Sequence, residues 1–262
     1  MKISHELPLS LLPYSLGWND YEYCLPHLID KHDEYKQFFL NARKQNRFII
    51  MDNGLFEGVT HTTTDLLEKI NLIEPNIFIV PDDWNNKDMT AKNAKHWLQY
   101  DLPEQTNLMI VMQGKTMSEM QTLYQQCVDL GYTHFAFNHS SVLYHELCPT
   151  ENLLANQTVG RVLLLEKMKD DGFIKPHHYI HLLGCSVPQE FTHYRDHWDN
   201  NMINSVDTSN PIICGALGIR YEEIGLLEKP TNKIEEFMES DLNDKLDDIK
   251  YNVQRFKNFC NK

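Results

Sequence analysis

Six short, almost unbroken apolar runs, each ending in polar residues, set the narrowest limits on how this chain folds. They are RFIIMDNG (47–54), NIFIVPDD (76–83), NLMIVMQG (107–114), HFAFNHSS (134–141), HYIHLLGCS (178–186) and NMINSVDT (201–208). A strand with one wet face alternates apolar and polar residues. A run that is apolar at nearly every position is covered on both faces, as in a parallel sheet. The intervening segments read as helices. TTTDLLEKINLI begins with capping threonines and an acidic first turn, and TMSEMQTLYQQCVDLG stops at Gly131. KDMTAKNAKHWLQY and VPQEFTHYRDHW occupy the same slot after their strands. Strand–helix alternation at intervals of roughly 25–45 residues predicts βα units around a parallel sheet. An open doubly wound sheet and a closed barrel share this pattern.

The chain has 262 residues, of which 42% are hydrophobic, and no Pro/Gly/Ser-rich linker divides it. One domain spanning 1–262 is expected, a length that suits an α/β barrel of about 250 residues. No GxGxxG or GxxxxGK[ST] follows any strand, so neither dinucleotide nor P-loop binding is indicated. The formal net charge of −13 argues against a protein that coats nucleic acid passively, although a local basic groove is compatible with it. The groupings Arg43–Lys44–Arg47 and Lys167–Lys169 read as solvated helix faces. Six cysteines form no CxxC pair, and prolines and charged residues interrupt the N-terminus where a secretory signal needs an apolar run. No stretch approaches the roughly 20 apolar residues of a membrane span. Reduced thiols and a cytoplasmic location are therefore expected.

The polar residues at the strand ends carry the functional signal: Asp52, Asp82, Asp83, Gln113, Asn138, His139 and Asp207. Taken singly, an Asp after a strand is a helix cap or turn residue. Five strands ending this way, three of them in carboxylates, point to a shared site, because ligands bind at that edge in both barrels and open sheets. An Asp accepts the N1–H and N2–H donors of a guanine, and a Gln reaches its O6. A second pair of carboxylates suits glycosyl chemistry, one attacking C1′ and the other handling the proton of the leaving base.

In ordered blocks across residues 47–215, the chain resembles the tRNA-guanine transglycosylase superfamily. Within it, the short phage and bacterial DNA 7-deazaguanine transglycosylases are the most similar. The D-S-G-G-[FY] block of that superfamily corresponds to DNGLF (52–56), F-D-E to PDD (81–83) and V-Q-G-G to MQGK (112–115). A-I-G-G is altered to AFNH (136–139), H-Y-L-M-G corresponds to YIHLLG (179–184), and the nucleophile segment D-x-x-x-P to DTSNP (207–211). The resemblance implies a (β/α)8 TIM-type barrel with Asp207 as nucleophile and Asp52 as general acid/base. It places Phe56 stacked on the base, Asp82 at its donor edge and Gln113 at the O6 side, with Asp83 and Gly114 also among the substrate-binding residues. Asn138, His139, Leu183 and Gly184 would line the pocket. No metal or other cofactor is implied. The partners would be a guanine in DNA and a free 7-deazaguanine (cyano, that is preQ0-type, or the aminomethyl or amidine form of queuosine-related bases).

The chain departs from the family in three ways. The C-x-C-x-x-C…H zinc subdomain of the tRNA enzymes is absent, which favours DNA over tRNA. Ile213 stands where a basic residue follows the nucleophile segment, and Asn138–His139 replaces two pocket glycines. A tRNA-directed enzyme, a base-releasing glycosidase and a catalytically silent subunit of the superfamily are the alternatives. Retention of both Asp52 and Asp207 argues against the silent form. The acidic chain also leaves room for a protein partner that supplies a DNA-binding surface.

His193 and His197 are spaced i, i+4, and His177, His178 and His181 bracket a strand. That helical spacing places two imidazoles on one face, but no HExxH glutamate or third ligand accompanies them. Cys185 and Cys214 lie near the candidate site without a histidine arranged to activate them, and read as buried small hydrophobes. The tail, about 231–260, reads as one long amphipathic acidic helix or a helical pair packed on the barrel exterior.

Overall fold

The computed structural model describes residues 1–198 and 202–261. Eight parallel strands lie in the order β1-β8-β7-β6-β5-β4-β3-β2. They are β1 (Lys2–His5), β2 (Glu22–Cys24), β3 (Ile49–Met51), β4 (Ile77–Ile79), β5 (Asn107–Val111), β6 (His134–Asn138), β7 (Tyr179–Leu183) and β8 (Ser205–Thr208). The helices between them are α1 (Ser15–Trp18), α2 (Pro26–Lys31), α3 (Asp33–Lys44), α4 (Thr63–Ile73), α5 (Lys87–Trp97) and α6 (Met117–Asp129). They continue as α7 (Leu143–Leu147), α8 (Leu153–Asp170), α9 (Glu190–His197), α10 (Asn210–Ala216) and the C-terminal α11 (Leu246–Cys260). This is a (β/α)8 TIM-type barrel with an added C-terminal helix.

The six apolar runs form β3 to β8, although each strand is shorter than its run; Asn201, at the head of the last run, lies outside the described residues. Ile49, Ile50 and Met51 of β3 and Ile77, Phe78 and Ile79 of β4 are all buried, as strands covered on both faces require. The expected caps are in place. The Thr62 and Thr116 hydroxyls accept from the Asp65 and Glu119 amides at 3.1 and 3.2 Å, opening α4 and α6. Gly131 follows α6 with φ +94°, a left-handed conformation that costs glycine nothing.

Side chains rather than a strand ladder complete the seam between β1 and β2. The Ile3 amide donates to the Asp20 carboxylate at 2.8 Å, and the Asp20 amide donates to the Ile3 carbonyl at 2.8 Å. The Asn19 amide side chain accepts from the His5 amide at 2.8 Å and donates to the His5 carbonyl at 3.0 Å. Asn19 and Asp20 thereby satisfy backbone groups that would otherwise be buried unpaired.

The tail is neither the one long helix nor the helical pair expected. Only α11 is a sustained helix, preceded by short 3-10 turns at Ile234–Phe237 and Asn243–Lys245. α11 packs against α10 and α9, burying Ile249, Val253 and Phe256. At its crossing with α10, Gly215 approaches so closely that a Cβ there would stand 2.6 Å from the Ile249 Cα. Among the described residues no helix is long and apolar enough to cross a membrane.

Candidate active site

Every strand sends a side chain into one cavity of about 610 Å³ at the C-terminal end of the barrel. Glu6 follows β1, Tyr23 lies in β2, Asp52 follows β3 and Asp82 lies just beyond β4. Gln113 follows β5, while Asn138, Leu183 and Asp207 lie at the ends of β6, β7 and β8. Parallel pairing fixes this convergence: Leu183 is in register with Asp207, and Asp207 with Ser4 of β1. Phe56, His139 and Gly184 also line the cavity. Nine of the expected site residues are thus brought together.

Two are not. Asp83 and Gly114 lie outside the cavity lining. The Asp83 backbone is drawn toward α5, its amide donating to the Thr90 hydroxyl at 3.1 Å. Gly114 backs onto the first turn of α6, where a Cβ would stand 3.1 Å from the Met120 amide nitrogen. Asp82 and Gln113 thus face the cavity while Asp83 and Gly114 turn to the next helix.

Asp207 is buried and is held by a hydrogen-bonded chain. The His181 Nε2 lies 2.9 Å from its Oδ1, and the His181 Nδ1 lies 2.7 Å from the Ser205 Oγ. The Tyr179 hydroxyl in turn donates to Ser205 at 2.9 Å. Burial pushes the Asp52 carboxyl upward. The Asn53 amide offsets part of that rise, the Asp207 charge adds to it, and the Tyr23 hydroxyl and the Gly54 amide oppose it. Two carboxyls facing one cavity therefore differ in their surroundings: Asp207 is bonded to His181, while burial raises Asp52.

Asp82 forms the centre of an amide cluster. Its Oδ1 accepts from Asn53 Nδ2 at 2.9 Å and its Oδ2 from Gln113 Nε2 at 2.5 Å. Gln113 is oriented by the Asn85 amide, which donates to Oε1 at 3.0 Å. That leaves the second Nε2 hydrogen of Gln113 for a ligand acceptor, and lone pairs on Asp82 for ligand donors. Burial raises Asp82 to about 6, against the opposing bonds from Gln113 and Asn53.

The far wall is aromatic. Phe56 meets the His139 ring edge-on at 5.6 Å between centroids, and the Lys233 ammonium lies 5.5 Å from the Phe56 centroid. Burial, with the Lys229 and Arg161 charges, lowers His139 far below the usual imidazole range, so it is neutral. Gly184, at φ +66°, lets that ring close in: a Cβ there would stand 2.7 Å from His139 Nδ1. Arg161 of α8 fixes this wall from behind, donating to the Leu183 and Gly184 carbonyls at 3.1 Å each and pairing with the buried Glu190 at 2.7 Å.

Several site residues are not evident from the sequence. Glu6 and Glu57 face Asp52 and Asp207. Burial and the neighbouring carboxylates push Glu6 well above the usual range, and burial followed by the Asp52 charge raises Glu57 to about 8. Asn53, inside the DNGLF block, is a further case. The segment 228–235 is another: instead of packing on the exterior it crosses the cavity mouth, with Lys229, Lys233 and Glu235 among its lining side chains. No apolar periodicity marks that segment, and its place depends on the path between α10 and α11.

The remaining histidines and basic groups have local partners. His193 Nε2 lies 2.9 Å from Glu166, and His178 Nδ1 bonds the Tyr124 hydroxyl at 2.7 Å. Among the described residues no group of three or more His, Cys, Asp or Glu could hold a metal ion. Arg43 and Arg47 are not simply solvated: Arg43 pairs with Glu74 at 2.8 Å and Arg47 with the buried Glu22 at 2.8 Å. Cys185 and Cys214 are buried free thiols, pushed upward mainly by that burial. No family model matches the chain, and no curated protein matches it.

Proposed function

We propose that this protein is a base-exchange transglycosylase that replaces guanine in DNA with a 7-deazaguanine through a covalent aspartyl-glycosyl intermediate. The observation that carries the reading is the placement of Asp52 and Asp207 at one cavity, with the Asp207 charge adding to the upward shift of Asp52. The Asp82–Gln113 cluster supports it, because it offers acceptors and one amide donor in the pattern a guanine edge requires. Phe56 supplies an apolar face within the same cavity.

In the first displacement an Asp207 oxygen forms a bond to C1′ while the C1′–N9 bond breaks, and Asp52 gives its proton to the departing guanine. In the second, N9 of the incoming 7-deazaguanine attacks C1′. Its N9 proton passes to Asp52, and Asp207 leaves as a carboxylate. Two inversions give net retention. Reaching a guanine in a duplex requires extruding it, at a cost of about a few kcal/mol.

The test is incubation with double-stranded DNA, and separately with guanine-containing tRNA, plus a labelled 7-deazaguanine, followed by digestion and mass spectrometry of the nucleosides. Label in DNA alone is the expected result. Label in tRNA alone assigns the RNA substrate instead, and guanine release without incorporation assigns a glycosidase. Asp52→Asn is expected to slow exchange about 10²–10⁴-fold, the usual contribution of a positioned acid/base. A variant that exchanges at the wild-type rate removes Asp52 from that role.

A further inference from the structure

We propose that His181 is a positioning residue for Asp207, acting through a one-directional hydrogen-bond chain that begins at Tyr179, and that it leaves Oδ2 as the attacking oxygen. This rests on the exchange reaction proposed above. His181 does not line the cavity; it is fully buried behind Asp207 in the adjacent strand.

The proton positions follow from the donors available. As the nucleophile of the proposed reaction Asp207 is a carboxylate and only accepts, so the His181 Nε2, 2.9 Å from Oδ1, carries hydrogen. With the ring hydrogen on Nε2, Nδ1 is then an acceptor, and among the described residues the only polar group bonded to it is the Ser205 Oγ at 2.7 Å, which donates. Having donated, Ser205 accepts from the Tyr179 hydroxyl at 2.9 Å. Every hydrogen in the chain Tyr179–Ser205–His181–Asp207 points toward the carboxylate. Aromatic packing fixes the ring plane: Tyr23 lies parallel to His181 at 6.0 Å and Tyr21 edge-on at 6.4 Å.

Two consequences follow for the chemistry. With Oδ1 engaged by His181, Oδ2 is the oxygen presented to C1′. When Asp207 is expelled in the second displacement, negative charge returns to the carboxylate, and a preset N–H donor strengthens as that charge develops. Such a donor speeds the second displacement, in which the carboxylate re-forms, and serves the first, in which that charge is spent, only by orienting Oδ2.

Three variants and one spectroscopic measurement test this. His181→Phe keeps a ring but removes the donor, and His181→Gln restores an N–H at similar reach. Ser205→Ala removes the donor that sets the tautomer. Single-turnover covalent trapping and steady-state exchange would be measured with thermal melts as a check on folding. His181→Phe is expected to lower kcat about 10²–10³-fold through the second displacement, the usual effect of losing one such donor, with a smaller fall in the trapping rate and KM for DNA and base changed less than about threefold. His181→Gln is expected to recover at least tenfold of that loss. In resting protein with ¹⁵N-labelled histidine, His181 is expected as the neutral Nε2–H tautomer, and Ser205→Ala is expected to weaken that preference.

A neutral Nδ1–H tautomer in the wild type overturns the chain. Wild-type exchange matched by His181→Phe, or a folded His181→Gln no better than His181→Phe, overturns the positioning role while leaving the exchange reaction intact. A wild-type protein that neither traps nor exchanges removes the exchange reaction and this role together.

Discussion

Asp82 has the surroundings that specify a single side chain's task most narrowly. Both of its oxygens receive amide donors, yet burial still raises it to about 6. Its proposed use as an acceptor for a base's N–H groups therefore depends on pH. Below about 6 the carboxyl gains a proton and loses acceptor capacity; above it the carboxylate is complete. Affinity for a free 7-deazaguanine is expected to fall as pH drops from 7.5 to 5, with an inflection near 6. Asp82→Asn should bind more weakly at pH 7.5 and lose that inflection. Calorimetric titration across the range decides it, and a wild-type affinity flat through pH 6 removes Asp82 from base reading. Asp52, Asp82, Gln113 and Asp207 are legible in the sequence because each breaks an apolar run at its end. Glu6 and Glu57 are not, because Glu6 follows a strand, KISH, too polar to be recognised. Glu57 lies past the strand end, in a turn whose direction no local pattern encodes.

At the scale of elements, what was legible depended on how apolar each element is. β3 to β8 are nearly continuous hydrophobic runs. β1 and β2, KISH and EYC, bury polar groups instead, including His5 and Glu22, whose partners Asn19 and Arg47 lie elsewhere in the chain. α8 was hidden for the same reason, since its buried face carries Asn156, Gly160 and Arg161. Arg161 reaches through the barrel wall to hold the carbonyl ends of β6 and β7, donating to Phe137 at 3.3 Å as well as to Leu183 and Gly184. Arg161→Met leaves Glu190 buried and unpaired apart from Tyr194, and is expected to cost about 3–5 kcal/mol, as breaking one side of a buried pair does. Arg161→Met with Glu190→Leu removes the orphaned charge and should recover a large part of that cost. Urea unfolding of the two single variants and the double variant measures the coupling. Additive losses would mean that the pair does not hold the two strand ends as one unit.

At the scale of the whole molecule, the charge and the cavity act on stability together. Seven acidic side chains and two lysines line the cavity, and on four of the acids, Glu6, Asp52, Glu57 and Asp82, the fold favours the protonated carboxyl. Glu57 is the clearest case, at about 8 folded against an ordinary 4.5. Between those values folding takes up a proton, so stability falls as pH rises. Buried histidines work in the opposite direction lower on the scale. Burial lowers His5 and His178 to about 4, and the unfolded chain binds protons there that the folded chain refuses, so these residues add stability as pH rises toward 6.5. Above 6.5 that contribution is complete and the carboxyl contribution remains. The urea midpoint of the wild type is therefore expected to decline from pH 6.5 to pH 8. Glu57→Gln, which has no proton to release, is expected to decline less over the same interval. Parallel declines in the two proteins would mean that Glu57 is already ionised in the fold. The cavity would then hold its negative charge open to solvent, and a neutral acid beside Asp52 would have no part in the site.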